Sequence, residues 1–136
     1  MQSQKILVVD DDPDVVEYLS SFLEDEGYLV GAAGDAADAR SILETFRPDV
    51  ILIDVMLPGK SGLDLLVTLR RSETWSGIPV ILVTGDDQVL QERCQSYLET
   101  HRDVRAPEHV LGKPIERDRL LAALRDVGLG TSRRSR

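Results

Sequence analysis

Three consecutive acids, Asp10-Asp11-Asp12, close the apolar run Ile6-Leu7-Val8-Val9, and a lone acid, Asp54, closes a second run, Val50-Ile51-Leu52-Ile53. Two acidic strand ends in one small chain suggest a metal site. Ionised carboxylates about 4 Å apart repel by roughly 4 kcal/mol at an effective dielectric of about 20, so several stay charged together only when a cation offsets them. Hard oxygen ligands from few side chains favour Mg²⁺, which keeps waters and accepts a phosphate oxygen. Two more runs end in polar groups: Thr84 follows Val80-Ile81-Leu82-Val83, and Lys113-Pro114 follows the run His109 to Leu111. Carboxylates for a metal, an isolated carboxylate, a hydroxyl and an ammonium are the parts needed to move a phosphoryl group.

These groups meet only if the runs that carry them are parallel strands ending on one side. Short apolar runs alternate five times with stretches of helical period, which predicts an α/β chain around a parallel sheet. In an open parallel sheet, ligands bind beyond the carboxyl ends of the strands, where strand order reverses. The predicted strands are Lys5 to Val9, Tyr28 to Ala32, Val50 to Ile53, Val80 to Val83 and His109 to Leu111.

Between them, Val15, Val16, Leu19, Phe22 and Leu23 form one helical stripe that Gly27 stops. Asp35 caps a second helix with Ala36, Ala39, Ile42, Leu43 and Phe46 inward, ended by Pro48. A third follows the Pro58-Gly59 turn and presents Leu63, Leu66, Val67 and Leu69. Val89, Leu90, Cys94, Tyr97 and Leu98 fit a fourth, whereas Thr100 to Pro107 is polar and aperiodic and reads as an extended loop. Leu120, Leu121, Leu124 and Val127 make the last helix amphipathic.

A chain of 136 residues, 42% hydrophobic, suits one domain with a single core. Its expected extent is residues 1–128, with 129–136 a disordered basic tail carrying Arg133, Arg134 and Arg136. A net charge of -8 argues against direct nucleic-acid contact. Neither a signal-peptide core nor a membrane-spanning run is present, so the chain reads as cytoplasmic, without membrane contact. Cys94 is the only cysteine, which excludes an internal disulfide, and it reads as a small apolar residue on a helix face.

Four segments resemble the receiver domain of two-component response regulators: Ile6 to Pro13, Pro48 to Gly59, Ile78 to Gly85 and Leu111 to Pro114. The resemblance covers roughly residues 5–128. It implies a flavodoxin-like, doubly wound, five-stranded parallel sheet in the order 2-1-3-4-5, flanked by five helices. It further implies a phosphoacceptor at Asp54, Mg²⁺ held by Asp11 and Asp54 with Asp10 nearby and often water-bridged, and a last protein ligand from the Met56 carbonyl. Thr84 and Lys113 would contact the phosphoryl group, and Met56 and Asp86 would help set its lifetime. The implied partners are a sensor histidine kinase or histidine phosphotransfer protein and a protein that reads the output, with homodimerisation left open. Such a domain catalyses only its own phosphorylation and dephosphorylation.

Each residue also has a plainer reading. Asp12 before Pro13 is an N-cap, a role that does not require Asp10 and Asp11. Asp54, Thr84 and Lys113 taken singly would be ordinary turn or surface residues, but together they occupy successive strand ends. His101 and His109 read as surface histidines, and Asp64 and Glu116 to Asp118 as solvated helix faces. Two features depart from the family pattern: the stretch between Thr84 and Lys113 is several residues longer than the family's, and Val110 stands where many members carry an aromatic switch residue. That surface is therefore the expected seat of a private partner or a non-standard output. Two other functions compete with the phosphoacceptor reading. One is a receiver-like interaction module indifferent to phosphorylation. The other is a small Mg²⁺-dependent phosphohydrolase, disfavoured because Val55-Met56 after Asp54 lacks the second acid that haloacid dehalogenase-like phosphatases place there.

Overall fold

The computed structural model describes residues 4–57, 59, 61–85 and 88–129. Five strands alternate with five helices: β1 (Lys5–Val9), α1 (Pro13–Asp25), β2 (Leu29–Ala33), α2 (Ala36–Phe46), β3 (Val50–Asp54), α3 (Gly62–Arg70), β4 (Val80–Thr84), α4 (Gln88–Thr100), β5 (His109–Gly112) and α5 (Arg117–Asp126). The strands are all parallel in the order β2-β1-β3-β4-β5. This is the flavodoxin-like arrangement expected from the sequence. Strand order reverses between β1 and β3, so the crevice where such sheets bind ligands opens beside Asp10 and Asp54.

Alternate residues of the central strands serve two cores. Leu7, Val9, Ile51, Ile53, Val80 and Leu82 pack with α2, α3 and Cys94 of α4, while Ile6, Val8, Val50, Leu52, Ile81 and Val83 pack with α1 and α5. Burial on both faces explains why these strands read as unbroken apolar runs rather than alternating ones. The helix starts follow their local chemistry. Asp12 and Asp35 accept the N–H of Asp14 and Asp38, Pro13 takes the first helical position of α1, and Ser61 caps α3. Gly27, with φ +98°, supplies the left-handed residue that stops α1.

Several boundaries differ from expectation. β2 begins at Leu29, because the Tyr28 N–H bonds back to the Leu23 carbonyl and finishes α1. Asp54 and Thr84 are the last residues of their strands rather than the first after them, since Asp54 pairs in register with Val83 and Thr84 with Gly112. α4 continues through Thr100. The polar segment after it is held by Arg70, whose buried guanidinium donates to the carbonyls of Ile78, Arg105 and Ala106 and to Glu108. Leu129, placed by the sequence reading in the tail, is buried in the α1–α5 core, and its N–H bonds to the Leu124 carbonyl. Residues 130–136, with the expected disorder of the tail, lie outside the described residues, as do Pro58 of the expected turn and Asp86.

Candidate phosphoryl-transfer site

Parallel register brings the polar strand ends into one cluster. Asp10 immediately follows β1, and its N–H donates to the Ala33 carbonyl at the end of β2 (3.0 Å). Asp54 ends β3 and Thr84 ends β4. The Lys113 N–H donates to the Thr84 carbonyl at 2.8 Å, which fixes the loop after β5 against β4. Asp10, Asp54 and Thr84 are nearly inaccessible, at 4%, 4% and 2% of full exposure, whereas Asp11 is exposed.

Lys113 reaches into this cluster from its rim. Its Nζ lies 3.0 Å from Asp54 Oδ2 and 3.2 Å from Asp10 Oδ2. The other Asp54 oxygen, Oδ1, accepts the N–H of Met56 at 3.0 Å, and Asp10 Oδ1 accepts the N–H of Asp12 at 2.9 Å. Both buried carboxylates are therefore oriented by a backbone donor on one oxygen and by Lys113 on the other. Burial pushes the Asp54 carboxyl above its ordinary value, and the nearby Asp10 adds to this against the opposing Lys113 and Met56 hydrogen bonds. Burial works to lower the Lys113 pKa, but its contacts with Asp54 and Asp10 outweigh that and raise it, so the side chain stays an ammonium.

One carboxylate oxygen from each of Asp10, Asp11 and Asp54 lies within 4.8 Å of the others. When all three are ionised, three negative charges face one ammonium and leave a formal excess of two. Hard oxygen donors with that excess fit a small divalent cation such as Mg²⁺. The cluster thus brings together Asp10, Asp11, Asp54 and Lys113, with Thr84 at the adjoining strand end and Met56 attached to Asp54 by its backbone.

Gly62 was not singled out from the sequence. A Cβ there would collide with the Asp54 carbonyl oxygen and come within 2.7 Å of the Ile53 side chain, while its N–H donates to the Val55 carbonyl at 2.9 Å. Only glycine lets α3 start this close to the end of β3. The available signal was a glycine at the first helical position, eight residues after Asp54, where a better helix former would otherwise be favoured.

Among the plainer readings, Asp12 is indeed the α1 cap and Glu116 to Asp118 are exposed. Asp64 is not solvated: it is half-buried and accepts the Tyr97 hydroxyl. His101 stacks on Tyr97, and His109 pairs with Asp126 at 2.7 Å. Val110 is 53% exposed on β5, and Met56 is also exposed.

The chain matches the response regulator receiver domain family over residues 6–125 and belongs to it. It is 42% identical over 82 residues to the DNA-binding response regulator MtrA of Mycolicibacterium smegmatis, covering 60% of this chain and 35% of that protein. It is 33% identical over 129 residues to the DNA-binding dual master transcriptional regulator RpaA of Synechocystis, covering 95% of this chain and 51% of RpaA. Among solved structures it resembles the chemotaxis protein CheY4 of Vibrio cholerae, with a TM-score of 0.78, 26% identity, and coverage of 93% of this chain and 99% of that one. The chain spans about a third to a half of the length of these two regulators.

It is a receiver domain of phosphorelay signal transduction, and neither the phosphohydrolase nor the constitutive-module reading is favoured. Receivers of this family typically bind Mg²⁺ and interact with sensor kinases. Because the relatives are DNA-binding regulators, the expected lack of nucleic-acid contact gains no support from them. Among the described residues, no helix is long and apolar enough to cross a membrane.

Proposed function

We propose that Asp54 accepts a phosphoryl group from a phosphohistidine donor and that the resulting charge changes which protein the domain binds. The observation that carries this reading is the buried Asp54 carboxylate, fixed by Met56 N–H and by Lys113 Nζ at 3.0 Å, at the switch point of the sheet. In the transfer, an Asp54 oxygen attacks phosphorus while the bond from phosphorus to the donor imidazole nitrogen breaks, leaving an acyl phosphate and a free histidine. Positioning and charge neutralisation account for most of the catalysis in such transfers. Lys113 stabilises the negative charge on the transferring oxygens, and Thr84 hydrogen-bonds one of them once the group is in place.

Asp10, Asp11, Asp54 and the Met56 carbonyl would hold Mg²⁺, which supplies positive charge that offsets the phosphoryl oxygens. Water attacking phosphorus returns Asp54 to a carboxylate and releases inorganic phosphate, and Met56 and Asp86 modulate that rate. The domain therefore catalyses only its own modification and reset. We read it as cytoplasmic and as extending through Leu129, with a sensor histidine kinase or histidine phosphotransfer protein as donor and a protein as output. The acidic surface of the receiver argues that it makes no nucleic-acid contact of its own. The test is incubation with a radiolabelled phosphohistidine protein. Label should pass once to the wild type and not to Asp54→Asn, and sustained turnover of a phosphate ester by the wild type would contradict the reading.

A further inference from the structure

Helix α3 touches the acceptor at one end and the α4–β5 segment along its length. Its first residue, Gly62, packs directly on the Asp54 carbonyl and donates to Val55. Within the same turn, Asp64 accepts the hydroxyl of Tyr97 from α4. The Tyr97 ring stacks on His101, with centroids 4.1 Å apart and planes 19° apart. His101 Nδ1 lies 2.9 Å from the Tyr97 carbonyl, and because a carbonyl only accepts, that nitrogen carries the proton. At the far end of α3, Arg70 binds the carbonyls of Arg105 and Ala106, and Arg71 pairs with Asp103. On β5, by contrast, Val110 offers neither an aromatic ring nor a hydroxyl.

We propose that α3 passes the state of Asp54 to α4, with the Asp64–Tyr97 hydrogen bond as the separable joint. The proposal rests on Asp54 being the acceptor. A phosphoryl group there replaces the single negative charge of the carboxylate with about two, spread over three outer oxygens. It would lie just beyond the end of β3, beside the start of α3, where the helix dipole carries positive partial charge, so the first turn of α3 is drawn toward it. Asp64 moves with that turn, and Tyr97 follows, because parting would leave a half-buried donor and acceptor without partners. Burial, together with the Asp64 contact, pushes the Tyr97 hydroxyl up to about 12, so it remains a donor throughout the neutral range.

Tyr97→Phe removes the hydroxyl and keeps the ring that stacks on His101. The full chain is treated with acetyl phosphate and Mg²⁺, and both intact mass and backbone amide shifts are recorded for wild type, Tyr97→Phe and Asp103→Asn. The expected result is one added phosphoryl group in all three proteins. Shifts at residues 101–104 should be seen in the wild type and Asp103→Asn and mostly lost in Tyr97→Phe, while those at Thr84 and Lys113 persist in every protein. Equal shifts at 101–104 in wild type and Tyr97→Phe would overturn the joint, as would equal loss in Asp103→Asn. A wild type that gains no phosphoryl group would overturn the acceptor reading and this proposal with it, a failure the mass measurement identifies separately.

Discussion

The Lys113 ammonium lies 3.0 Å from Asp54 and 3.2 Å from Asp10, so one cation joins two buried carboxylates, one ending β3 and the other just past the end of the adjacent parallel β1. This bridge requires the loop after β5 to be held in place, which the Lys113 N–H does by binding the Thr84 carbonyl. Fold and chemistry therefore share one residue.

Lys113→Met should leave Asp54 and Asp10 facing each other without their cation. Loss of a preorganised charge at the transferring oxygens slows phosphoryl uptake by about 10²–10³-fold, the range for removing one such donor. Mass-monitored labelling rates at fixed acetyl phosphate check this, with circular dichroism to verify folding.

Asp54→Asn should stabilise the fold at neutral pH. The raised Asp54 pKa means that the folded state holds its proton to higher pH than the unfolded chain does. Stability is thus lost as pH rises from the ordinary value of 3.8 through the folded one, and asparagine escapes that loss. The gain should be read at pH 7 as a higher melting temperature for the variant than for the wild type. It should vanish at pH 3 and shrink when Mg²⁺ is added to the wild type.

Gly62→Ala should push α3 away from the acceptor strand, because the added methyl collides with the Asp54 carbonyl. A cost of about 1–3 kcal/mol is expected from overpacking, together with slower labelling of the molecules that remain folded. Urea denaturation and the mass assay separate the two effects.

Arg70→Met should release the segment before β5. Removing the guanidinium leaves Glu108 and three carbonyls short of partners, at a cost of about 3–5 kcal/mol. Burial works to raise the Glu108 pKa, but the Val80 N–H, Arg70 and Arg105 outweigh it and hold the carboxyl below its usual 4.5. Its contribution is complete above the unfolded value and lost as pH falls through the folded one. Acid unfolding should therefore be less steep in Arg70→Met, and amide exchange at 105–108 faster.

The ends of β3 and β4 were legible because each of these apolar runs is short, buried on both faces and stopped by one polar residue, Asp54 or Thr84. The caps at Asp12 and Asp35 were legible because their hydrogen bonds reach only two or three residues along the chain. Arg70 was not. At the end of a helix an arginine reads as a complement to the helix dipole, and two of its three carbonyl partners lie 35 and 36 residues away. Asp64 failed for the same reason, since Tyr97 is 33 residues distant. The polar segment after α4 looked unanchored because its anchor is a buried guanidinium rather than apolar contacts. Gly62 shows its purpose only once α3 is seated on β3.

The most direct test of Asp54 as acceptor is the intact mass of the chain after incubation with acetyl phosphate, with and without Mg²⁺, for the wild type and Asp54→Asn. The geometry predicts a gain of one phosphoryl group in the wild type that requires Mg²⁺ and is absent from the variant. An equal gain in Asp54→Asn, or none in a folded wild type that also fails with a phosphohistidine donor, would contradict it.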